Sequence, residues 1–193
     1  MSRTTSIKKG TPSSGPAATA TVVDGKKVRF LITDQPNERT LPQYIQLLQE
    51  NHVAKVVRAC EPTYDVAPLQ DKGIRVHDLN FEDGSAPPPA VIKKWLDLVE
   101  SWFIDPRSPD YLGEGQRVAV HCVAGLGRGP VLVAIALIED GMEPLQAAQY
   151  IRDRRKGALN TTQLHWVGSY IKTREKRWNR LHSQSGGTTC HIM

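Results

Sequence analysis

Residues 118–140, VAVHCVAGLGRGPVLVAIALIED, set two apolar segments on either side of a turn with glycines at 125 and 127. The first segment, QRVAVHC, reads as a strand with an apolar centre on both faces, which suits a covered, mostly parallel sheet. The second, from Pro130 to about Asp140, is apolar all round its helical circumference and so must be buried. A strand, a glycine turn and a buried helix make a βα unit. Further strands alternate with helices along the chain. This pattern predicts an α/β fold: a central, mostly parallel, twisted sheet of about five strands, flanked by helices on both faces.

The chain has 193 residues, which suits one domain with tails. Residues 1–20, rich in Ser, Thr, Gly, Pro and Ala, read as a disordered extension. The domain is expected over 21–182, with a flexible tail over 183–193. No apolar run reaches the roughly 18 residues of a membrane span. The N-terminus lacks the apolar stretch of a signal peptide, so an intracellular protein is expected. Asp24-Gly25 predicts a two-residue hairpin turn. TLPQYIQLLQEN predicts a helix with Thr40 as N-cap. AKVVRAC and GIRVHDL predict short strands. A helix is expected from about Pro88 to Phe103, another over EPLQAAQYIRDRRKG closed by Gly157, and one long final helix capped by Asn160.

Ligands of open α/β sheets bind beyond the carboxyl ends of the strands, and Cys122 lies at such an end. Gly125 and Gly127 let the backbone curl so that successive amides of Val123, Ala124, Gly125, Leu126 and Gly127 face one centre. The helix that follows turns its unpaired N–H groups and its dipole toward the same point. Arg128 adds a planar fork for two oxygens of a tetrahedral dianion. This is a phosphate cradle. A helix N-terminus and a nearby Arg favour the thiolate form of a cysteine. The chemistry implied is displacement at phosphorus by Cys122 through a cysteinyl phosphate. His121 is expected to hydrogen-bond the loop and help set the surroundings of Cys122. The leaving oxygen needs an acid from another strand end, and NFEDGSAPPP offers Glu82 and Asp83.

HCVAGLGRGP together with FEDGSAPPP resembles the protein tyrosine phosphatase superfamily, dual-specificity branch, and more narrowly the phosphatases of regenerating liver (PRL). The resemblance covers about Lys27 to Met193. It implies Cys122 as nucleophile, Arg128 as phosphate ligand and Asp83 as general acid. By analogy with superfamily glutamines, Gln163 would position the hydrolytic water, although Asn160 and Gln163 also stand at capping-box spacing. Most members carry a hydroxyl residue just after the arginine. Here that position is Gly129, which implies a long-lived intermediate and slow turnover. LNFEDG lacks the Trp and Pro of the family's acid loop. The apolar inner positions Val123, Ala124 and Leu126 disfavour highly charged inositol headgroups and leave a phosphotyrosine or other phosphoprotein as substrate. No metal or organic cofactor is expected.

The cysteines number three, with no C-x-x-C pair, so neither a secreted disulfide framework nor structural zinc is expected. If VVRAC and VAVHC are neighbouring strands, about 4.8 Å apart, Cys60 can reach Cys122, since disulfides need Cα atoms roughly 4.4–6.8 Å apart. The resemblance supports such a reversible redox cap. Cys190, in CHIM, matches a prenylation box. The net charge is +5, and Lys172, Arg174, Lys176, Arg177 and Arg180 lie upstream of that box. Lipid and basic helix together predict attachment to an anionic inner leaflet, at the cytoplasmic face of plasma or internal membranes. The anchor accounts for the charge, so nucleic acid is not an expected partner. A non-catalytic alternative also follows from the resemblance: a module binding the CBS-domain region of a magnesium transporter.

Overall fold

A computed structural model describes residues 19–183; the expected 1–18 portion of the extension and the tail from residue 184, including Cys190, lie outside the described residues. Five strands form one sheet: β1 (Ala20–Asp24), β2 (Arg29–Thr33), β3 (Val53–Arg58), β4 (Arg75–Asp78) and β5 (Arg117–His121). Their order is β1-β2-β5-β3-β4. Among the described residues, only the β1–β2 pair is antiparallel. The sheet is thus mostly parallel, as its doubly apolar central strands require. Side chains alternate between two cores. Leu31, Val56 and Ala119 face α1 (Leu41–Glu50) and α2 (Ala67–Gln70). Phe30, Ile32, Val57, Val118 and Val120 face α3 (Pro89–Val99), α4 (Arg128–Glu139), α5 (Pro144–Arg154) and α6 (Thr161–Gly168).

Every residue of α4 is buried. At about 1.5–3 kcal/mol for each fully buried Val, Leu or Ile, this helix anchors the fold and fixes where the loop before it ends. It begins at Arg128, two residues ahead of the expected start.

Three expectations need correction. The β1–β2 connection has four residues, not two. Gly25 N–H donates to the Val28 carbonyl at 2.8 Å, and the Asp140 carboxylate accepts Lys27 N–H at 2.9 Å. The distant carboxylate, rather than Asp24-Gly25 turn chemistry, shapes the bend. Helix α5 stops at Arg154, three residues before Gly157, because Arg155 leaves helical geometry (φ −131°, ψ 90°) and carries its side chain inward. The long final helix is two helices, α6 and α7 (Glu175–Ser183). Buried Glu139 accepts Thr173 N–H and Arg174 N–H, each at 2.7 Å, and the Tyr170 hydroxyl at 2.9 Å. A continuous helix would return those two N–H groups to its own carbonyls.

The helix expected to run to Phe103 does reach that far, but its last turn, Glu100–Ile104, is π-helical. The wider turn keeps Glu100 inside, where it takes Trp178 Nε1 at 3.1 Å and Arg177 at 2.6 Å. Three of the five basic residues upstream of the tail are spent in ion pairs: Lys172 with Glu143 and Glu175, Arg174 with Asp97 and Glu100, Arg177 with Glu100. Lys176 and Arg180 join no ion pair among the described residues. No helix among those residues is long and apolar enough to cross a membrane.

Candidate active site

The parallel register of β5 between β2 and β3 delivers Cys122 to the carboxyl edge of the sheet. From there to Gly127 all six carbonyls are tied down, each by a different atom. His121 Nδ1 donates to the Cys122 carbonyl at 3.3 Å. Gln35 N–H donates to Val123 at 3.0 Å. Arg155 donates to Ala124 at 3.0 Å and to Gly125 at 2.7 Å. Leu159 N–H donates to the Leu126 carbonyl at 2.7 Å, and Val131 N–H to the Gly127 carbonyl at 3.1 Å. Among the described residues, none of the N–H groups of Val123–Gly127 donates to a protein acceptor. With the carbonyls so engaged, those amides remain free beside Cys122 to meet an anion. Gly125 is required at its place: its φ is +65°, and a Cβ there would overlap the Thr33 carbonyl and the Arg155 guanidinium.

Cys122 is 3% exposed, while Val123 and Leu126 stand out at the rim at 58% and 37%. Arg128 is buried and reaches across to the loop after β4, donating to Asn80 Oδ1 and to the Phe81 carbonyl, both at 3.2 Å. Its Nε lies 3.2 Å from Asp83 Oδ1 but off the hydrogen-bonding direction, so the two attract as charges. Asp83 therefore comes to the same mouth as Cys122 and Arg128. Its side chain is 72% exposed. Glu82 is exposed as well; its backbone carbonyl accepts the Ser85 hydroxyl at 2.8 Å.

Gln163 is fully buried and completes a capping box with Asn160. Its amide also donates to the Ser85 carbonyl at 3.4 Å and lies beside Gly127. Asn160 Nδ2 reaches the Gly84 carbonyl at 3.1 Å. The cap of α6 thus holds the acid-bearing loop against the cradle.

His121 is fully buried, and burial pulls its pKa down to about 4. The imidazole is neutral, with Nδ1–H on the Cys122 carbonyl. Its Nε2 then accepts the Tyr64 hydroxyl at 2.8 Å. Cys60, on the chain leaving β3, packs against the same ring, Sγ to Nδ1 3.9 Å. Burial pushes its thiol up to about 11. Strands β3 and β5 are neighbours, with Arg58 opposite His121, and both Cys60 and Cys122 are free thiols. Among the described residues, no three His, Cys, Asp or Glu side chains gather as metal ligands.

Two groups of this site are absent from the sequence reading. Tyr64 fixes the His121 tautomer, and Arg155 holds two loop carbonyls. Arg155 reads in sequence as one of a basic cluster, yet it continues the buried stripe Ala148, Ile151 at helical spacing. That periodicity was its available signal.

No family model matches the chain. Among curated proteins, protein tyrosine phosphatase type IVA 3 of Bos taurus is 46% identical over 171 residues, 89% of this chain and 94% of that protein. PRL-1 phosphatase of Drosophila melanogaster is 45% identical over 164 residues, 85% of this chain and 89% of that one. A solved protein tyrosine phosphatase structure from Leishmania major matches with a TM-score of 0.66 and 40% identity, covering 79% of this chain and 99% of that chain. Tk-PTP in its active form, at 24% identity and a TM-score of 0.58, shares the fold. The sheet, the loop and the buried helix behind it define a cysteine-phosphatase fold, and with these relatives they mark an enzyme of the protein-tyrosine-phosphatase class. The chain belongs to the protein tyrosine phosphatase type IVA (PRL) family.

Proposed function

We propose that the enzyme hydrolyses phosphotyrosine and related phosphoprotein monoesters at Cys122, with slow turnover. The observation that carries this reading is the outward tethering of all six carbonyls from Cys122 to Gly127, which leaves fixed amides for the three non-bridging phosphate oxygens. Arg128 supplies the matching positive fork. The Cys122 thiolate attacks phosphorus, an S–P bond forms, and the ester P–O bond breaks. Asp83 gives its proton to the departing oxygen. A water then attacks phosphorus, Asp83 takes a proton from it, and the S–P bond breaks to release phosphate. Preorganised dipoles stabilise the charge that builds on the equatorial oxygens in both steps. Gln163, beside Gly127, is the candidate for placing that water. Gly129 brings no hydroxyl to the second step, which supports accumulation of the intermediate.

Val123 and Leu126 make the rim apolar, and no basic side chain stands between Cys122 and Arg128. This supports an aromatic phosphoester over a polyphosphorylated headgroup. Phosphate release from a phosphotyrosine peptide tests the reading. Wild type should release it, Cys122→Ser should not, and Asp83→Ala should do so slowly; release by Cys122→Ser at the wild-type rate would overturn the assignment. The same apolar rim also suits a docking face for a protein such as a CBS-domain magnesium transporter. If wild type shows no stoichiometric burst yet binds that partner, the binding role is primary.

Two regulatory features belong to the proposal. A peroxide would convert the Cys122 thiolate to a sulfenic acid, from which Cys60 displaces water to give a disulfide. The buried, protonated state of Cys60 makes the second step slow, and a loss of two hydrogens in the intact mass would report it. The CHIM box would carry a prenyl group on Cys190 and hold the enzyme at the cytoplasmic face of anionic membranes. The ion pairs of Lys172, Arg174 and Arg177 leave much of that attraction to the lipid, so Cys190→Ser should release the protein from membranes.

A further inference from the structure

Arg155 is 7% exposed and has no carboxylate within ion-pair distance among the described residues. Its guanidinium spends its donors on neutral oxygens. Nε bonds the Gly125 carbonyl and Nη2 the Ala124 carbonyl, at 2.7 and 3.0 Å. On the other side Nη1 reaches the Thr21 hydroxyl at 3.2 Å and the Ile32 carbonyl at 3.5 Å, and Nη2 reaches the Thr19 hydroxyl at 3.1 Å. Four residues on, Leu159 adopts a left-handed φ of +63°, uncommon for a residue with a Cβ. That conformation aims its N–H at the Leu126 carbonyl. The turn Arg155–Leu159 therefore grips three consecutive carbonyls, those of Ala124, Gly125 and Leu126.

A buried guanidinium without a paired carboxylate is costly, and burial works against its charge. The left-handed backbone at Leu159 is costly as well. A fold that only needed to tie α5 to β1 would gain nothing from either feature. Both make sense as devices that keep peptide planes turned.

We infer that Arg155 is a positioning residue for the phosphate loop: its planar fork holds the Ala124 and Gly125 carbonyls outward so that the neighbouring amides face the anion, and it couples that loop to the first strand through Thr19 and Thr21. The inference rests on the phosphatase reading above. A lysine keeps the charge, but one ammonium on a flexible stem does not reproduce a fork fixed on two carbonyls. Supporting partners of a site are typically worth on the order of 10- to 100-fold in affinity or rate.

The test uses the full chain with inorganic orthovanadate as probe, alongside single-turnover formation of the cysteinyl phosphate and thermal melting. Arg155→Met should bind orthovanadate on the order of 10- to 100-fold more weakly and form the intermediate correspondingly more slowly, with the loss in kcat. Arg155→Lys should fall between Met and wild type. Thr21→Val, which removes one tie to β1 and none to the loop, should lower the melting temperature while orthovanadate affinity stays within about twofold. If Arg155→Met does not fold, Arg155→Lys decides. An Arg155 variant that melts earlier yet binds orthovanadate as wild type does would reduce Arg155 to a structural tie and overturn the inference. If wild type itself ignores orthovanadate, the phosphatase reading falls instead.

Discussion

The loop Cys122–Gly127 has every carbonyl engaged from outside, whereas the loop Asn80–Pro88 presents its acid on a side chain that is 72% exposed. The first lies between a central strand and a wholly buried helix. The second is steadied from its edges, by Arg128 at Asn80 and Phe81 and by the cap of α6 at Gly84 and Ser85. The difference follows from what each step demands. Charge on phosphate oxygens is stabilised by dipoles already oriented before reaction, so each carbonyl has to be held in place. A proton donor need only be in reach when the leaving group departs. Damage to the cradle should therefore cost more than damage to the acid.

Gly125→Ala makes the sharpest break. The Cβ would displace the Thr33 carbonyl or the Arg155 guanidinium and strain a positive φ. Turnover should fall by ~10²-fold or more, with orthovanadate affinity falling in parallel in a binding titration. Retained affinity would mean that the amides are not held as described. Asp83→Asn should cost about 10²-fold, at the low end for general acids, toward a phosphotyrosine peptide. With an ester whose leaving group needs no proton, the loss should nearly vanish, and orthovanadate binding should be untouched. An equal loss with both esters would contradict the division between the two loops.

His121 offers a thermodynamic version of the same comparison. Its folded pKa of about 4 lies below the unfolded value of about 6.5. The unfolded chain therefore binds more protons between those values. Stability is complete above about pH 6.5 and is lost as pH falls toward 4. At pH 5 the loss is roughly 2 kcal/mol, readable as a lower urea midpoint. His121→Asn keeps a donor near the Cys122 carbonyl without a titrating ring, and its midpoint should depend less on pH in this window. The smallest effect is expected at Gly129. An added Cβ there meets the Val120 carbonyl at 3.5 Å, an ordinary contact. Gly129→Ser should raise steady-state turnover several-fold by hastening loss of the S–P bond, and shrink the burst. An unchanged burst would shift the slow step elsewhere.

The cradle was legible because its signals are local: strand, Cys122, two glycines, Arg128 and an all-apolar helix stand within one short stretch. The parallel sheet followed from doubly apolar strands, and the Asn160–Gln163 cap from spacing alone. What escaped is non-local. Glu139 divides the last helix through contacts more than thirty residues away in sequence. Asp140 shapes the first hairpin from the far end of α4. Arg155 stands in sequence beside Arg152, Arg154 and Lys156, and a count of charges does not say which of them turn inward. Tyr64 lay in a loop with no pattern to mark its reach to His121.

The most direct measurement is the intact mass of wild-type protein quenched in acid shortly after mixing with a phosphotyrosine peptide. The account predicts a species heavier by one phosphoryl group, mapped to Cys122, in near-stoichiometric yield and missing from Cys122→Ser. Phosphate release with no such adduct at any quench time in wild type, or an adduct mapped to another residue, would contradict it.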